Sequence, residues 1–268
     1  MYTSLELAEV YLQTGELNYA LEALNAHIAE SPQDDYARRL RIEVLIDMPN
    51  GINLALADLD AISALTARDY GLRGRIMSKL GDLSAAAAAF EQAWKLQPMS
   101  YAEPYLMLLK KLGNTDRALE VLSSIPKAWH WFSWGGEIHM LRGDHEAALQ
   151  HFSEAVEQLD TVIETMKDPR FFRAVKANLL IKRGKVYHQL KRILEADADY
   201  REAGSLLTHD ATIPFNRGLL HAEQGDLANA ISLCREGWDR ANADLREEMR
   251  EELITDPRYQ PILEAISG

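Results

Sequence analysis

One spacing recurs along this chain and constrains it more than any other feature: a small residue, a glycine seven residues later and an alanine twelve residues later, clearest at Gly74, Gly81 and Ala86. A helical unit of about thirty-four residues cannot bury its apolar face alone, so neighbouring units must stack. The expected architecture is an all-α solenoid of paired helices. The first unit carries the register in Ala8, Tyr11, Gly15, Ala20, Leu24 and Pro32, and a later one in Gly136, His139, Gly143, Ala148, Phe152 and Ala155. Gly184, Tyr187, Ala196, Tyr200 and Ala203 follow, with Lys191 in the place of the turn glycine, and then Gly218, Gly225, Ala230 and Gly237. Leu106, Gly113, Ala118 and Leu122 match more weakly. Residues 36–65 are degenerate, their turn carried by Pro49, Asn50 and Gly51.

These residue types have physical reasons. Antiparallel helices approach closely only where side chains are small, so the small anchor of the first helix is expected to face the alanine twelve residues on, with larger aromatics filling the wedge between neighbours. The turn glycine ends the first helix in a left-handed conformation, and the polar residue after it opens the second. Pro32 and Pro98 stop second helices. Two lapses stand out. The unit before Pro126 is clipped, and the 48 residues from Gly143 to Lys191 require a longer second helix to about Lys167, a break at Asp168–Pro169 and an extended first helix from Phe171.

In the third unit Gly74, Met77, Gly81, Ala86, Phe90, Ala93 and Pro98 follow one another at characteristic offsets, and this pattern resembles the tetratricopeptide repeat. The resemblance implies one right-handed α-α superhelix over residues 1–268, with repeats at about 1–34, 35–66, 67–98, 99–128, 129–168, 169–210 and 211–242. Two closing helices over 243–268 would form a polar cap. It also implies a non-catalytic adaptor or scaffold that holds a peptide or helix of another protein in a concave groove built by the first helices. The alternatives are a homo-oligomeric scaffold, a regulatory ligand sensor and, last, an enzyme without a recognisable motif.

Read by offset from each anchor, the groove is expected to present Arg68, Arg75, Lys79, Lys110, His130, Trp134, Asn178, Lys182, Lys185 and Asn216, with Met107 as an apolar contact. An acidic protein would thus carry a basic, aromatic-dotted inner face suited to an acidic partner segment. The densest basic stretch, Lys167 to Arg192, has two readings: solvated side chains meeting acids of a neighbouring unit, or recognition of an acidic peptide. The cluster Trp129, His130, Trp131, Phe132, Ser133 and Trp134 likewise either fills the space left by the clipped unit or offers Trp134 and His130 as an aromatic anchor.

Composition narrows the partners. A formal charge of −12 argues against general attraction to nucleic acid or an anionic membrane. No apolar run approaches the roughly 20 residues that cross a bilayer. The chain starts directly on an amphipathic helix without a leader, and a cytoplasmic location is expected. Cys234 reads as a buried thiol. The eight histidines form no metal-binding spacing, and no phosphate-binding, dinucleotide-binding or nucleophile motif occurs. No cofactor, metal or catalytic residue is expected.

Overall fold

The structure, a computed structural model, describes residues 2–267, all of whose regular elements are helical. The chain divides between Ile125 and Pro126 into two compact units. The first holds four helix pairs: α1 (Ser4–Thr14) with α2 (Leu17–Glu30), α3 (Asp35–Ile46) with α4 (Ile52–Asp60), α5 (Ala67–Leu80) with α6 (Leu83–Leu96), and α7 (Pro98–Lys111) with α8 (Thr115–Ser123). The second holds three: α9 (Trp129–Arg142) with α10 (His145–Thr165), α11 (Arg170–Gln189) with α12 (Ile193–Leu206), and α13 (Thr212–Glu223) with α14 (Leu227–Arg240). It closes with α15 (Ala243–Ile254), a 3-10 turn at Pro257–Tyr259 and α16 (Gln260–Ser267). The clipped unit is α8, only 9 residues long, and the long join is the pairing of the 21-residue α10 with the 20-residue α11.

Helix ends follow from local chemistry. Gly15, Gly81, Gly113, Gly143 and Gly225 all have φ between 69° and 82°. After Gly81, the Asp82 amide donates back to the Met77 carbonyl (3.0 Å), and the Asp82 carboxylate then accepts from the Ala85 amide (2.9 Å). One polar residue thereby closes one helix and opens the next. Lys191 adopts the same left-handed geometry at φ 59°, with the Arg192 amide donating to the Tyr187 carbonyl (2.9 Å). A side chain there costs roughly 1 kcal/mol of backbone strain. Its ammonium meets the Glu223 carboxylate at 2.9 Å, in the next helix pair.

The anchors pack under side chains of their own pair. The alanines at offset twelve, Ala20, Ala86, Ala118, Ala148, Ala196 and Ala230, are fully buried. The space an anchor leaves is nevertheless filled by the residue at offset sixteen. A Cβ on Gly74 would lie 2.7 Å from the Phe90 ring, one on Gly136 2.6 Å from Phe152, and one on Gly184 2.6 Å from Tyr200. The aromatic ring lies across its own pair's glycine. At Gly218 the offset-twelve residue also closes in: a Cβ there would meet the Cys234 sulfur at 2.4 Å and the Ala230 carbonyl oxygen at 2.9 Å.

Buried charge is sparse and paired. Arg41 grips Asp58 through Nε (2.7 Å) and Nη2 (2.5 Å), Arg39 grips Asp69 (2.7 and 2.9 Å), and Arg183 grips Asp199 (2.8 and 2.7 Å). Each fork joins two different helices and satisfies a carboxylate that burial would otherwise penalise.

Candidate interaction site on the first-helix face

In the first unit, an open cavity of about 630 Å3 lies where α3, α5 and α7 meet. Phe90 and Leu72 form its apolar floor, Tyr101 and Pro104 one wall, and Arg68, Arg75 and Glu43 its charged rim. Gly71 makes the wall possible, since a Cβ on it would lie 2.4 Å from the Tyr101 ring. Pro104 sits inside α7 and has no N–H to give to the Ser100 carbonyl one turn earlier, so that carbonyl loses its helical donor at the cavity edge.

The cations of α5 are balanced by acids of α3. Arg68 donates to Glu43 Oε1 from Nε (3.0 Å) and Nη2 (2.6 Å). Lys79 donates to Asp47 (2.8 Å) and to the Ile46 carbonyl (2.9 Å), and Arg75 lies 3.4 Å from the same Asp47. The Lys79 contact holds the Asp47 carboxyl below its ordinary range. These side chains are 37–58% exposed, so water screens the pairs and each contributes little to stability. Three cations face two acids across a surface open to a ligand. Burial raises the Tyr101 hydroxyl above its usual value, keeping it a neutral hydrogen-bonding group.

The offset frame thus brings Arg68 and Arg75 to one cavity, with Lys79 beyond them on α5. Lys110 lies in the last turn of α7, away from the cavity lining. Ser100, Tyr101 and Pro104 were not among the sequence candidates. Ser100 and Pro104 occupy, six and two residues before Leu106, the offsets that Arg68 and Leu72 occupy before Gly74, so the signal was present without a charge to draw attention to it.

The second unit distributes its candidates differently. Asn178 and Lys185 are exposed, whereas Asn216 is turned inward, 3% exposed, with no partner for its Nδ2. Lys182 is paired with Glu137 of α9. The basic stretch is largely matched by acids: Lys176 with Asp160 and Glu202 (both 2.5 Å), Arg183 with Asp199, Arg192 with Glu195 (2.9 Å) and Arg170 with Asp168 (2.7 Å). In the tryptophan cluster, Trp131 and Phe132 are buried, Trp129 packs edge-on against Phe172, and Trp134 and His130 are half-buried. The His130 ring lies edge-on to Trp129 at 5.4 Å and tilted against Trp131 at 4.4 Å.

His151 of α10 lies 5.1 Å from the His139 ring and beside Phe132, its Nδ1 buried without a partner. Burial, reinforced by the His139 charge, pulls its pKa below 6.5, and burial does the same to His188. The folded state therefore prefers neutral imidazoles, and the stability they contribute is present above the ordinary pKa and lost as pH falls through it. The thermal midpoint is expected to drop between about pH 7.5 and about pH 5.5, and His151→Gln to flatten that drop. An unchanged pH slope in the variant would remove His151 from the account.

Among the described residues no group of three histidine, cysteine or acidic side chains could hold a metal ion, and no helix is long and apolar enough to cross a membrane. A family model described as Tetratricopeptide repeat matches residues 68–98 and 177–206, which are the α5–α6 and α11–α12 pairs. The chain carries tetratricopeptide repeats at these two positions. No curated protein sequence matches it. Its fold is similar to that of a tetratricopeptide repeat protein from Parabacteroides merdae ATCC 43184, at 15% identity and a TM-score of 0.61, covering 99% of this chain and 98% of that one. Yeast Tom70 is similar at 19% identity and a TM-score of 0.55, covering 97% of this chain and 56% of Tom70. A chain of the APC/C hetero-tetramer Cut9–Hcn1 is similar at 16% identity and a TM-score of 0.54, covering 98% of this chain and 48% of that one. The first matched repeat has the register of anchor, turn glycine and alanine in Gly74, Gly81 and Ala86, and the second keeps it in Gly184 and Ala196 with Lys191 at the glycine's place.

Proposed function

We propose that this protein is a non-catalytic adaptor whose α3, α5 and α7 face binds an acidic segment of a partner protein. Tetratricopeptide repeat proteins generally mediate protein–protein interactions, and one of the similar chains belongs to the APC/C hetero-tetramer Cut9–Hcn1. The observation that carries the reading is the 630 Å3 cavity rimmed by Arg68 and Arg75. Its apolar floor offers desolvated contact, and its arginines, held only by exposed pairs, can transfer to a ligand carboxylate without leaving a buried charge behind.

Fluorescence anisotropy with labelled peptides, each carrying one large apolar residue flanked by glutamates, tests this. Binding is expected to weaken at least about tenfold in the Arg68→Glu, Arg75→Glu double variant and to fall with rising salt. Lys185→Glu in the second unit is expected to leave it unchanged. Equal binding by the double variant and the parent would refute the assignment.

A further inference from the structure

Two residues after the anchor position, every first helix carries an aliphatic side chain: Val10, Val44, Ile76, Leu108, Ile138, Val186 and Leu220. From Val44 onward these are at most 8% exposed, whereas Val10 is 43% exposed. The cover comes from the second helix of the preceding pair. Val44 shares a core with Leu24 and Ile28 of α2, Ile76 with Ala55 and Leu59 of α4, and Leu220 with Tyr200 and Ala203 of α12. Val10 therefore marks, on α1, a surface of the kind that elsewhere in the chain seats a helix. We infer that this face of α1 receives a basic amphipathic α-helix of a partner protein, lying as the second helix of a preceding pair would lie. The site is separate from the face of α3, α5 and α7 and does not depend on that assignment.

The seat is an apolar strip. Leu7, Val10, Tyr11 and Thr14 follow one another at helical intervals of three and four, so they share one side of α1. Leu7 and Tyr11 are half-buried. Tyr19 of α2, 56% exposed, brings its ring to 5.4 Å from that of Tyr11 and widens the strip. Solenoid ends ordinarily turn a polar face to water. The last pair conforms, because Ile262 and Ile266 of α16 join Ala230 and Cys234 of α14 in one core. An apolar strip left open and rimmed by charge is instead the mark of an interaction surface.

Charge selects the occupant. Residues 1–37 contain five glutamates, two aspartates and no lysine or arginine, although the chain has 29 of these cations. Glu6 lies one turn before Val10, Glu22 one turn after Tyr19, and Glu16 in the turn between the two helices, all three exposed. Glu6 accepts from the amide and hydroxyl of Thr3, neutral donors that leave its charge uncompensated. Lysines or arginines flanking an apolar stripe would complement this rim, and an acidic helix would be repelled. A second copy of the chain fits poorly. Its α1 face bears the same acids, and its closing helix α15 carries five acids against Arg246 and Arg250.

A synthetic peptide of about 20 residues, long enough to form a helix, tests the inference by fluorescence anisotropy. It carries leucines at i, i+4, i+7 and i+11 with lysines on both flanks of that stripe. One control has the same composition with the leucines scattered around the helix, and a second has glutamates in place of the lysines. The striped lysine peptide is expected to bind and to gain helical circular dichroism, and both controls to bind at least about tenfold more weakly. Val10→Lys and, independently, Tyr19→Ser are expected to weaken it by a similar factor, each with the helical spectrum of the parent. The Glu16→Lys, Glu22→Lys double variant is expected to lose the lysine peptide and gain the glutamate peptide, a reversal that loss of structure would not produce. Undiminished binding of the lysine peptide by both Val10→Lys and Tyr19→Ser would overturn the inference, as would equal binding of the striped and scattered peptides. Light scattering of the protein alone is expected to give one mass across concentrations. A dimer that Val10→Lys dissociates would assign the face to a second copy and refute the basic partner.

Discussion

Replacing Asp69 with alanine is expected to destabilise the first unit by about 3–5 kcal/mol, the range for breaking a buried ion pair from one side. The Asp69 side chain is wholly buried at the start of α5. Its two oxygens accept four hydrogen bonds, two from Arg39 and two from the amide and hydroxyl of Thr66. Burial alone would raise its pKa, but Arg39 and Thr66 outweigh burial and hold the carboxyl below 3.8. The stability this contributes is present above that ordinary value and is lost as pH falls below it. The substitution removes the side-chain half of the α5 capping box, the acceptor of the Thr66 amide, and leaves the Arg39 guanidinium, mostly shielded from water, facing an empty space. Urea unfolding followed by circular dichroism measures the loss. Arg68→Ala, one residue away but exposed, should shift the same curve by no more than about 0.5 kcal/mol. A loss under about 1 kcal/mol for Asp69→Ala would mean that water replaces the fork at little cost.

The second large effect is expected at Gly218. Alanine is ordinarily the better helix residue, by about 1 kcal/mol, yet here it should cost about 3 kcal/mol, near the upper end for overpacking. The atoms in its way include the Ala230 carbonyl oxygen at 2.9 Å and the Cys234 amide nitrogen at 3.0 Å, which are backbone of α14 and cannot rotate aside. Relief requires α13 and α14 to move apart, and with them the cluster of Phe215, Leu219, Cys234, Met249 and Ile262 that joins this pair to the closing helices. Gly204→Ala provides the contrast. Its Cβ would meet only the Ile213 side chain, at an ordinary 3.6 Å, so propensity should prevail and raise stability by roughly 0.5–1 kcal/mol. Thermal midpoints of the two variants moving in opposite directions would establish that the anchor glycine is kept for closeness. Parallel shifts would contradict it.

Much of the fold was legible because its punctuation is local. Gly81 and Asp82 end and begin helices through bonds that span five residues or fewer, and Pro98 starts α7 where the second helix was read to stop. The long join also appeared from spacing alone. What the sequence concealed was pairing across distance. Lys182, Lys176 and Arg183 could be read as meeting acids of a neighbouring unit or as a strip for an acidic peptide, and only the fold supplies the acids, Glu137, Glu202 and Asp199. Asn216 shares the offset of groove residues, yet tight packing of α13 turns it inward. Arg68 and Arg75 were found by offset because charge marked them. Tyr101 and Ser100 carry no such mark, and their place beside α5 depends on the bare backbone at Gly71.

The rings that lie over Gly74, Gly136 and Gly184 each come from sixteen residues further along the same helix pair. A close fit in each of these repeats is therefore completed within a stretch shorter than forty residues. Chains dominated by such short-range closure lose little loop entropy on the way to the folded state, and they fold fast. Stacking on the next pair then buries the apolar face that one pair leaves exposed.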